Sequence, residues 1–161
     1  LEEHGLMDSV LLHRVKAGDV EQVGNFAVEF IHASHSLVDC FSLAIKSPVG
    51  TIIHTGDYKV DETPVIGEPI DLRSFRRYGQ EGVLALLSDS TNATVPGRTP
   101  SERAVIPAFE EIFAEATGRI IVAAFASSIH RLQIVLDVAQ QFNRKVCVLG
   151  RSMLSTWMPV L

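Results

Sequence analysis

Short extended runs separated by turn residues fill the first third of the chain. Apolar and polar residues alternate within each run, and clusters of Gly, Asp, Ser and Pro lie between the runs. This pattern is typical of an antiparallel β meander. The predicted strands are 10–16, 26–31, 41–46 and 51–55.

The rest of the first half has a different character. Residues 56–70 are rich in Pro, Gly and Asp without periodicity, which predicts a connection. A short basic helix is predicted from Asp71 to Tyr78, where Gly79 ends it. Residues 1–4 have the pattern of the end of a helix, and since the chain starts without Met we expect it to be part of a longer protein.

The second half alternates buried strands with amphipathic helices. Apolar residues recur every three to four positions over 100–117 and 129–142, as on the core face of a helix. Apolar runs at 83–87, 120–125 and 146–149 flank these helices. The β-α-β-α-β order predicts a parallel sheet, and hence an α/β fold class.

The helix over 100–117 has a defined predicted start. Thr99 is its predicted N-cap, Pro100 the first helical residue, and Glu102 completes a capping box. Pro107 lacks a backbone donor and is expected to kink the helix.

Composition excludes several classes of protein. With 161 residues, 47% hydrophobic and 20% charged, the chain falls outside the disordered and fibrous classes. A net charge of −5 does not match a strongly basic nucleic-acid-binding domain. Cys40 and Cys147 indicate neither a disulfide framework nor a cysteine zinc site. No apolar run is long enough to span a membrane and the acidic start does not suit a secretory signal, so we expect a cytoplasmic protein with no membrane partner.

Hydroxyl-rich segments follow all three predicted strands of the second half. They are 88–92, 127–128 with His130 just beyond, and 150–152. Ligands of open parallel sheets bind at this edge, where helix N-termini favour anions. One interpretation is a phosphate site in which a protonated His130 makes binding pH-dependent and Asp89 orients His130 or a ribose hydroxyl. Ordinary helix N-caps are the alternative for each serine.

Two histidine clusters stand beside carboxylates at predicted strand ends. One extends over 32–39 and contains His35, and the other runs from His54 to Asp57. Imidazole and carboxylate ligands suit Zn²⁺ or Mn²⁺, which activate water for hydrolysis. Hydrogen-bonded turn residues are the alternative, and two ligands do not hold a catalytic ion.

Seven segments form an ordered set of motifs: 1–6, 35–36, 54–59, 81–92, 118–122, 125–131 and 150–153. Together they resemble ribonuclease J, a family of metallo-β-lactamase hydrolases that carry a β-CASP insertion. The resemblance covers about residues 1–153. It implies the C-terminal part of a metallo-β-lactamase β-sandwich over 1–80, followed by the first half of a β-CASP domain over 81–161 that contains the parallel β-α-β-α-β segment.

The resemblance also implies roles for individual residues. His35 would be a metal ligand, Asp57 would bridge two metal ions in the catalytic centre, and His54 would support the site from outside it. Asp89 and His130 fall on the first and second β-CASP motifs. The implied pocket for RNA phosphate consists of Asp89, Ser90, Ser127, Ser128 and His130.

The activity implied by the resemblance is metal-dependent hydrolysis of RNA phosphodiesters, as a 5′-exonuclease, an endonuclease or both. A complete site would hold two Zn²⁺ ions, with Mn²⁺ or Mg²⁺ as alternatives, and would act on single-stranded RNA in RNA processing and decay. The family's His-x-His-x-Asp-His motif is absent from these 161 residues, so we expect the chain alone to lack most metal ligands and to be inactive. A homo-oligomer or a paralogous partner is expected for the parent protein.

Two other functions stay open at this point. One is a non-catalytic phosphate-binding, RNA-binding or scaffold subunit of the same fold. The other is a related nuclease that acts on DNA or on RNA 3′ ends.

One position departs from the family's pattern. Leu37-Val38 replaces the usual Ile-Pro after His35-Ser36, which removes a proline restraint from the loop that carries the implied metal ligand.

Overall fold

A five-stranded sheet is formed by four strands of the first half of the chain and one strand at the start of the second half. This computed structural model describes residues 4–157, with the backbone alone for 155–157, so most of the predicted helix over 1–4 lies outside the described residues. The strands are β1 (Val20–Val23), β2 (Phe26–Ala33), β3 (Cys40–Ser47), β4 (Gly50–His54) and β5 (Ala85–Leu87), and they lie side by side in that order.

The antiparallel meander predicted from the alternating pattern is formed by β1 to β4. β2 and β3 pair along most of their length, and β4 continues the antiparallel order. β5 then joins β4 in parallel, with Ile53 opposite Leu86. The ends of β2, β4 and β5 are therefore held at fixed positions relative to one another by the backbone ladder.

The predicted strand over 10–16 is wrong. This segment has no strand pairing, and Leu11 is 86% exposed. β1 forms instead because Gly24, with φ +59°, lets the chain fold straight back and sets Val23 opposite Phe26. Such a tight hairpin closes a short loop at low entropic cost, whereas pairing of 10–16 would require a longer one.

Helix α1 (Leu72–Glu81) covers one face of the sheet and starts where the sequence predicted. The Asp71 carboxylate accepts hydrogen bonds from the N–H groups of Arg73 and Ser74, at 3.0 and 3.2 Å. Gly82, with φ +96°, ends the helix, whereas Gly79 lies inside it. The buried core between α1 and the sheet consists of Ile31, Ala44, Ile53 and Tyr78.

The second half is mainly helical. Its helices are α2 (Ile106–Glu115), α3 (Ile129–Gln141) and α4 (Arg151–Trp157), and 3-10 turns occupy Met7–Ser9 and Glu102–Val105. Across residues 4–157 no helix combines the length and apolar character needed to cross a bilayer. Packing of α2 against α3 buries a second core, made of Phe113, Ile134, Val135, Val138 and Ala139.

The start of the first helix differs from the prediction. The hydroxyl of Ser101, rather than Thr99, accepts the capping hydrogen bond from Arg103 N–H at 3.3 Å. A 3-10 turn follows, and Pro107 falls in the first turn of α2. Pro107 therefore begins this α-helix instead of kinking it, because N–H groups in a first turn have no intrahelical partner to lose.

The predicted parallel sheet is wrong for its second and third strands. Residues 120–125 and 146–149 are not paired as strands within the described range, and Ile121 and Leu149 are 87% and 80% exposed. A parallel strand needs a neighbour that takes up its backbone hydrogen bonds. Only 83–87 finds one, since β5 pairs with β4. The coarser prediction of a mixed α/β fold is confirmed.

Candidate functional site

A cleft of about 540 Å³ lies where the ends of β2, β4 and β5 face the start of α3. Four of the residues predicted from sequence line it: His35, Asp57, Asp89 and His130. They come from four segments that are separate in sequence, so the tertiary structure brings them together. Other polar and charged residues of its lining include Ser34, Ser36, Lys59, Asp61, Thr91, Asn92, Arg98, Thr99 and Glu102.

The loop that carries His35 is held on both sides of that residue. Ser34 is buried, its hydroxyl donates to the Lys59 carbonyl at 2.6 Å, and its own carbonyl accepts from Lys59 N–H at 2.7 Å. The Ser36 carbonyl accepts from Ile129 N–H, in the first turn of α3, at 3.1 Å. His35 Nδ1 lies 3.2 Å from the Ser36 hydroxyl. Nε2 is therefore the ring nitrogen suited to bind a metal ion.

Asp57 follows β4 through a bend that requires glycine. Gly56 has φ +59°, and a Cβ atom at this position would lie 3.1 Å from the Phe41 carbonyl oxygen. The side chain of Asp57 is exposed at the cleft. The pKa of the Cys40 thiol is raised mainly by burial, and the negative charge of Asp57 makes a smaller contribution.

Asp89 stands just beyond β5 and is tied to the end of β4. Its N–H donates to the Thr55 hydroxyl at 2.9 Å, and its carboxylate accepts from Thr91 N–H, also at 2.9 Å. These bonds from Thr91 are the main reason that the pKa of Asp89 lies below its usual value, and the charge of His35 adds to the effect. Asp89 is therefore a carboxylate held ionised at the edge of the cleft.

His130 is buried at the second position of α3, with 5% of the residue exposed. Its Nδ1 accepts a hydrogen bond from Ile66 N–H at 3.3 Å, so the neutral ring carries its proton on Nε2. Burial lowers the pKa of the imidazole, and the opposing effects of Glu102, Asp61 and the His35 backbone do not restore it. The imidazolium predicted to bind phosphate therefore forms at lower pH than in an exposed histidine.

The remaining predicted residues lie outside the lining of the cleft. Ser90 donates to the Ser88 carbonyl at 3.1 Å, and Ser127 is exposed. Ser128 precedes α3 but makes no side-chain capping bond to it. His54 Nδ1 accepts from Gly56 N–H at 3.1 Å and so supports the bend before Asp57.

A network of charged residues at the cleft was missed by the sequence analysis. Glu102 receives Lys59 Nζ at 3.1 Å on one carboxylate oxygen and the guanidinium of Arg131 at 2.7 Å on the other. Asp61 is buried and accepts hydrogen bonds from the N–H groups of Thr63 and Glu102. Lys59, Asp61 and Arg131 are each separated from Glu102 by 29 to 43 residues. No rule of sequence spacing predicts contacts over such separations.

The described residues do not form a complete metal site. No group of three or more His, Cys, Asp or Glu side chains between residues 4 and 157 is arranged to hold an ion. His35 and Asp57 nevertheless face the same cleft, and an imidazole with a carboxylate is the donor set that zinc accepts. The two side chains fit zinc by donor type, but they are fewer than the ligands that a closed site needs.

Comparison with known proteins identifies the same family that the motifs indicated. A family model described as "Ribonuclease J, beta-CASP domain" matches residues 117–158. Proteins named "Ribonuclease J" from Synechocystis sp. and Thermus thermophilus are 50% and 42% identical over 96% of this chain, and one from Helicobacter pylori is 50% identical over 81% of it.

A solved structure supports the fold. A crystal structure of a protein of unknown function from Enterococcus faecalis V583 aligns with 94% of this chain and 35% of its own, at a TM-score of 0.61 and 20% identity. The chain spans about a quarter of the length of the Synechocystis and Thermus relatives, at 24% and 27%. Motifs, family model and relatives agree, and the chain matches a segment of ribonuclease J.

Proposed function

We propose that a full-length ribonuclease J carrying this segment is a metal-dependent nuclease that hydrolyses phosphodiester bonds of single-stranded RNA, by 5′-exonuclease action, endonuclease action or both. The observation that carries the proposal is the convergence of His35, Asp57, Asp89 and His130 on one cleft. RNA as substrate is inferred from the names of the relatives, which share up to half of their residues with this chain over the aligned region.

In this proposal His35 and Asp57 are metal ligands. Bound zinc, or manganese or magnesium in its place, supplies Lewis-acid activation of the attacking water. Gly56 sets the direction of Asp57, and Ser34 and Ser36 anchor the loop of His35 through backbone hydrogen bonds. The protein's own part is to hold both donors in one cleft before substrate arrives.

Other residues of the cleft lining would receive the RNA. Thr91 and Asn92 line the cleft beside Asp89, and His130 lines it from the first turn of α3. Hydroxyl, amide and backbone N–H groups donate hydrogen bonds to phosphate oxygens. Ser90, Ser127 and Ser128, assigned to this pocket by the resemblance, would reach phosphate only from outside the present lining.

The test is cleavage of a 5′-phosphorylated, end-labelled single-stranded RNA by the full-length enzyme. Unsubstituted enzyme should cleave, and Asp57→Asn should reduce the rate at least about 100-fold because an amide is a poor metal ligand. Asp8→Asn is the matched control, since Asp8 is an exposed carboxylate in the 3-10 turn Met7–Ser9 and does not line the cleft. An Asp57→Asn enzyme as active as this control would refute the proposal.

A further inference from the structure

Glu102 joins two segments that carry the proposed catalytic groups. Its Oε1 lies 3.1 Å from Lys59 Nζ, and its Oε2 receives Arg131 Nη2 at 2.7 Å and Nε at 3.1 Å. Lys59 follows Asp57 by two residues, and Arg131 follows His130 directly. We call this three-residue ion-pair network the Glu102 bridge.

Both cations of the Glu102 bridge are anchored by other contacts. The backbone of Lys59 exchanges two hydrogen bonds with Ser34, immediately before His35. Arg131 belongs to α3. The residue before it, His130, accepts a hydrogen bond from Ile66 N–H, and the first N–H of the helix donates to the Ser36 carbonyl. A shift of Glu102 would therefore be transmitted to the segment of Asp57 and to the helix of His130.

The geometry of the Glu102 bridge separates it from ordinary surface ion pairs. The side chains of Lys59, Glu102 and Arg131 are 18%, 25% and 35% exposed, and the guanidinium places two N–H groups on one carboxylate oxygen. The nearby pair of Arg98 and Glu62 is 72% and 70% exposed. Isolated exposed pairs contribute little to stability, whereas partly buried networks with fixed arginine geometry hold their shape.

Glu102 itself has little freedom to move. Its N–H donates to the buried Asp61 carboxylate at 3.2 Å, and the Ser101 hydroxyl beside it donates to the Thr63 carbonyl at 3.0 Å. Burial works against ionisation of Glu102, but the hydrogen bonds and charges of Arg131 and Lys59 outweigh it and lower the pKa of this carboxyl. The carboxylate is thus a fixed anion between two cations.

We propose that Glu102 is a positioning residue for RNA cleavage, which fixes the segment of Asp57 relative to the helix of His130 through Lys59 and Arg131. This inference rests on the proposed function. It assigns Glu102 no contact with substrate or metal, because both of its carboxylate oxygens are already engaged by side chains of the protein. Its effect should therefore appear in the rate of the chemical step rather than in RNA binding.

The test compares Glu102→Gln with Glu62→Gln in the full-length enzyme. Glutamine keeps the size of the side chain and removes its charge. Glu62 provides a matched carboxylate in an exposed ion pair, and it does not itself line the cleft, whereas its partner Arg98 does. For Glu102→Gln we expect kcat to fall about 10- to 100-fold with KM within about threefold of the unsubstituted enzyme. Glu62→Gln should keep both values within about twofold.

Two further variants show whether Glu102 acts through its partners. Lys59→Gln combined with Glu102→Gln should lose no more kcat than the more impaired single variant, since both remove the same link. Arg131→Lys keeps the charge but not the two-pronged contact, and should lower kcat with KM unchanged even if Glu102→Gln does not fold.

Three results would overturn the inference: normal kcat in both Glu102→Gln and Arg131→Lys, losses that multiply in the double variant, or an effect confined to KM. A full-length enzyme that does not cleave RNA at all would instead refute the proposed function. An enzyme that needs Asp57 but tolerates both substitutions of the Glu102 bridge would leave the proposed function intact and remove only the role of Glu102.

Discussion

The backbone N–H of Ile66 donates a hydrogen bond to Nδ1 of His130, 3.3 Å away and 64 residues later in the sequence. This bond ties the connection between β4 and α1 to the first turn of α3. It also selects the neutral tautomer of a histidine that is almost completely buried. A side chain that sequence analysis assigned to phosphate is therefore also part of the packing that shapes the cleft.

Stability of the chain should depend on pH through His130. Its pKa is lowered by burial, so below about pH 6.5 the unfolded chain binds a proton that the folded chain resists. We expect the free energy of unfolding to fall between pH 7 and pH 5, and this fall to be smaller in His130→Gln. Urea unfolding of the 161-residue chain at both pH values measures it. His13→Gln, which changes an exposed histidine, is the control and should keep the full pH dependence.

Gly56 should tolerate alanine less well than Gly67. Both have positive φ, +59° and +78°, but only at Gly56 would the added Cβ meet a backbone atom, the Phe41 carbonyl oxygen. We expect Gly67→Ala to cost about 1 kcal/mol of stability, and Gly56→Ala about 1–3 kcal/mol together with lost activity of the full-length enzyme. Thermal unfolding and RNA cleavage assays compare the two variants. Equal losses would mean that the approach to Phe41 is not a constraint on Asp57.

Removing the hydroxyl of Tyr78 should destabilise the packing of α1 on the sheet. The hydroxyl donates to the Glu29 carboxylate at 2.5 Å, and burial, with Glu29 beside it, raises the pKa of Tyr78 to about 12. Tyr78→Phe should cost about 1.5–3 kcal/mol because a hydrogen bond to a charged group is lost. Arg77 still donates to Glu29 at 2.6 Å, so the carboxylate stays paired. Denaturant unfolding tests this, and a cost below about 0.5 kcal/mol would show that the bond is not stabilising.

The isolated 161-residue chain should bind zinc weakly. His35 and Asp57 would provide two ligands, and no third His, Cys, Asp or Glu completes a site among residues 4–157. A closed site needs four ligands, so we expect less than about 0.1 zinc per chain after dialysis, measured by elemental analysis. Stoichiometric zinc would show that the ligands are wrongly assigned, and His32→Ala, His54→Ala and Asp39→Asn would then identify the missed one.

Local pattern was enough to place the elements that depend on contacts close in sequence. Alternation gave β2, β3 and β4, because strands joined by short turns pair with their neighbours. The Asp71 cap and the apolar stripe of α3 were likewise visible, since capping and amphipathicity act within a few residues. The motifs around His35, Asp57, Asp89 and His130 identified the family for the same reason: each is a short continuous run.

Local pattern could not decide which distant segment pairs with each strand, or which distant side chain pairs with each buried charge. The runs at 120–125 and 146–149 have strand-like sequences but no pairing partner in the described residues, so hydrophobicity alone did not make them strands. Glu102 has the right place for a capping box, yet its carboxylate binds Lys59 and Arg131 because a partly buried anion is more stable between two cations. The sequence determined the chemistry present and its family, and the tertiary structure alone decided which of those groups share a cleft and which hold it in shape.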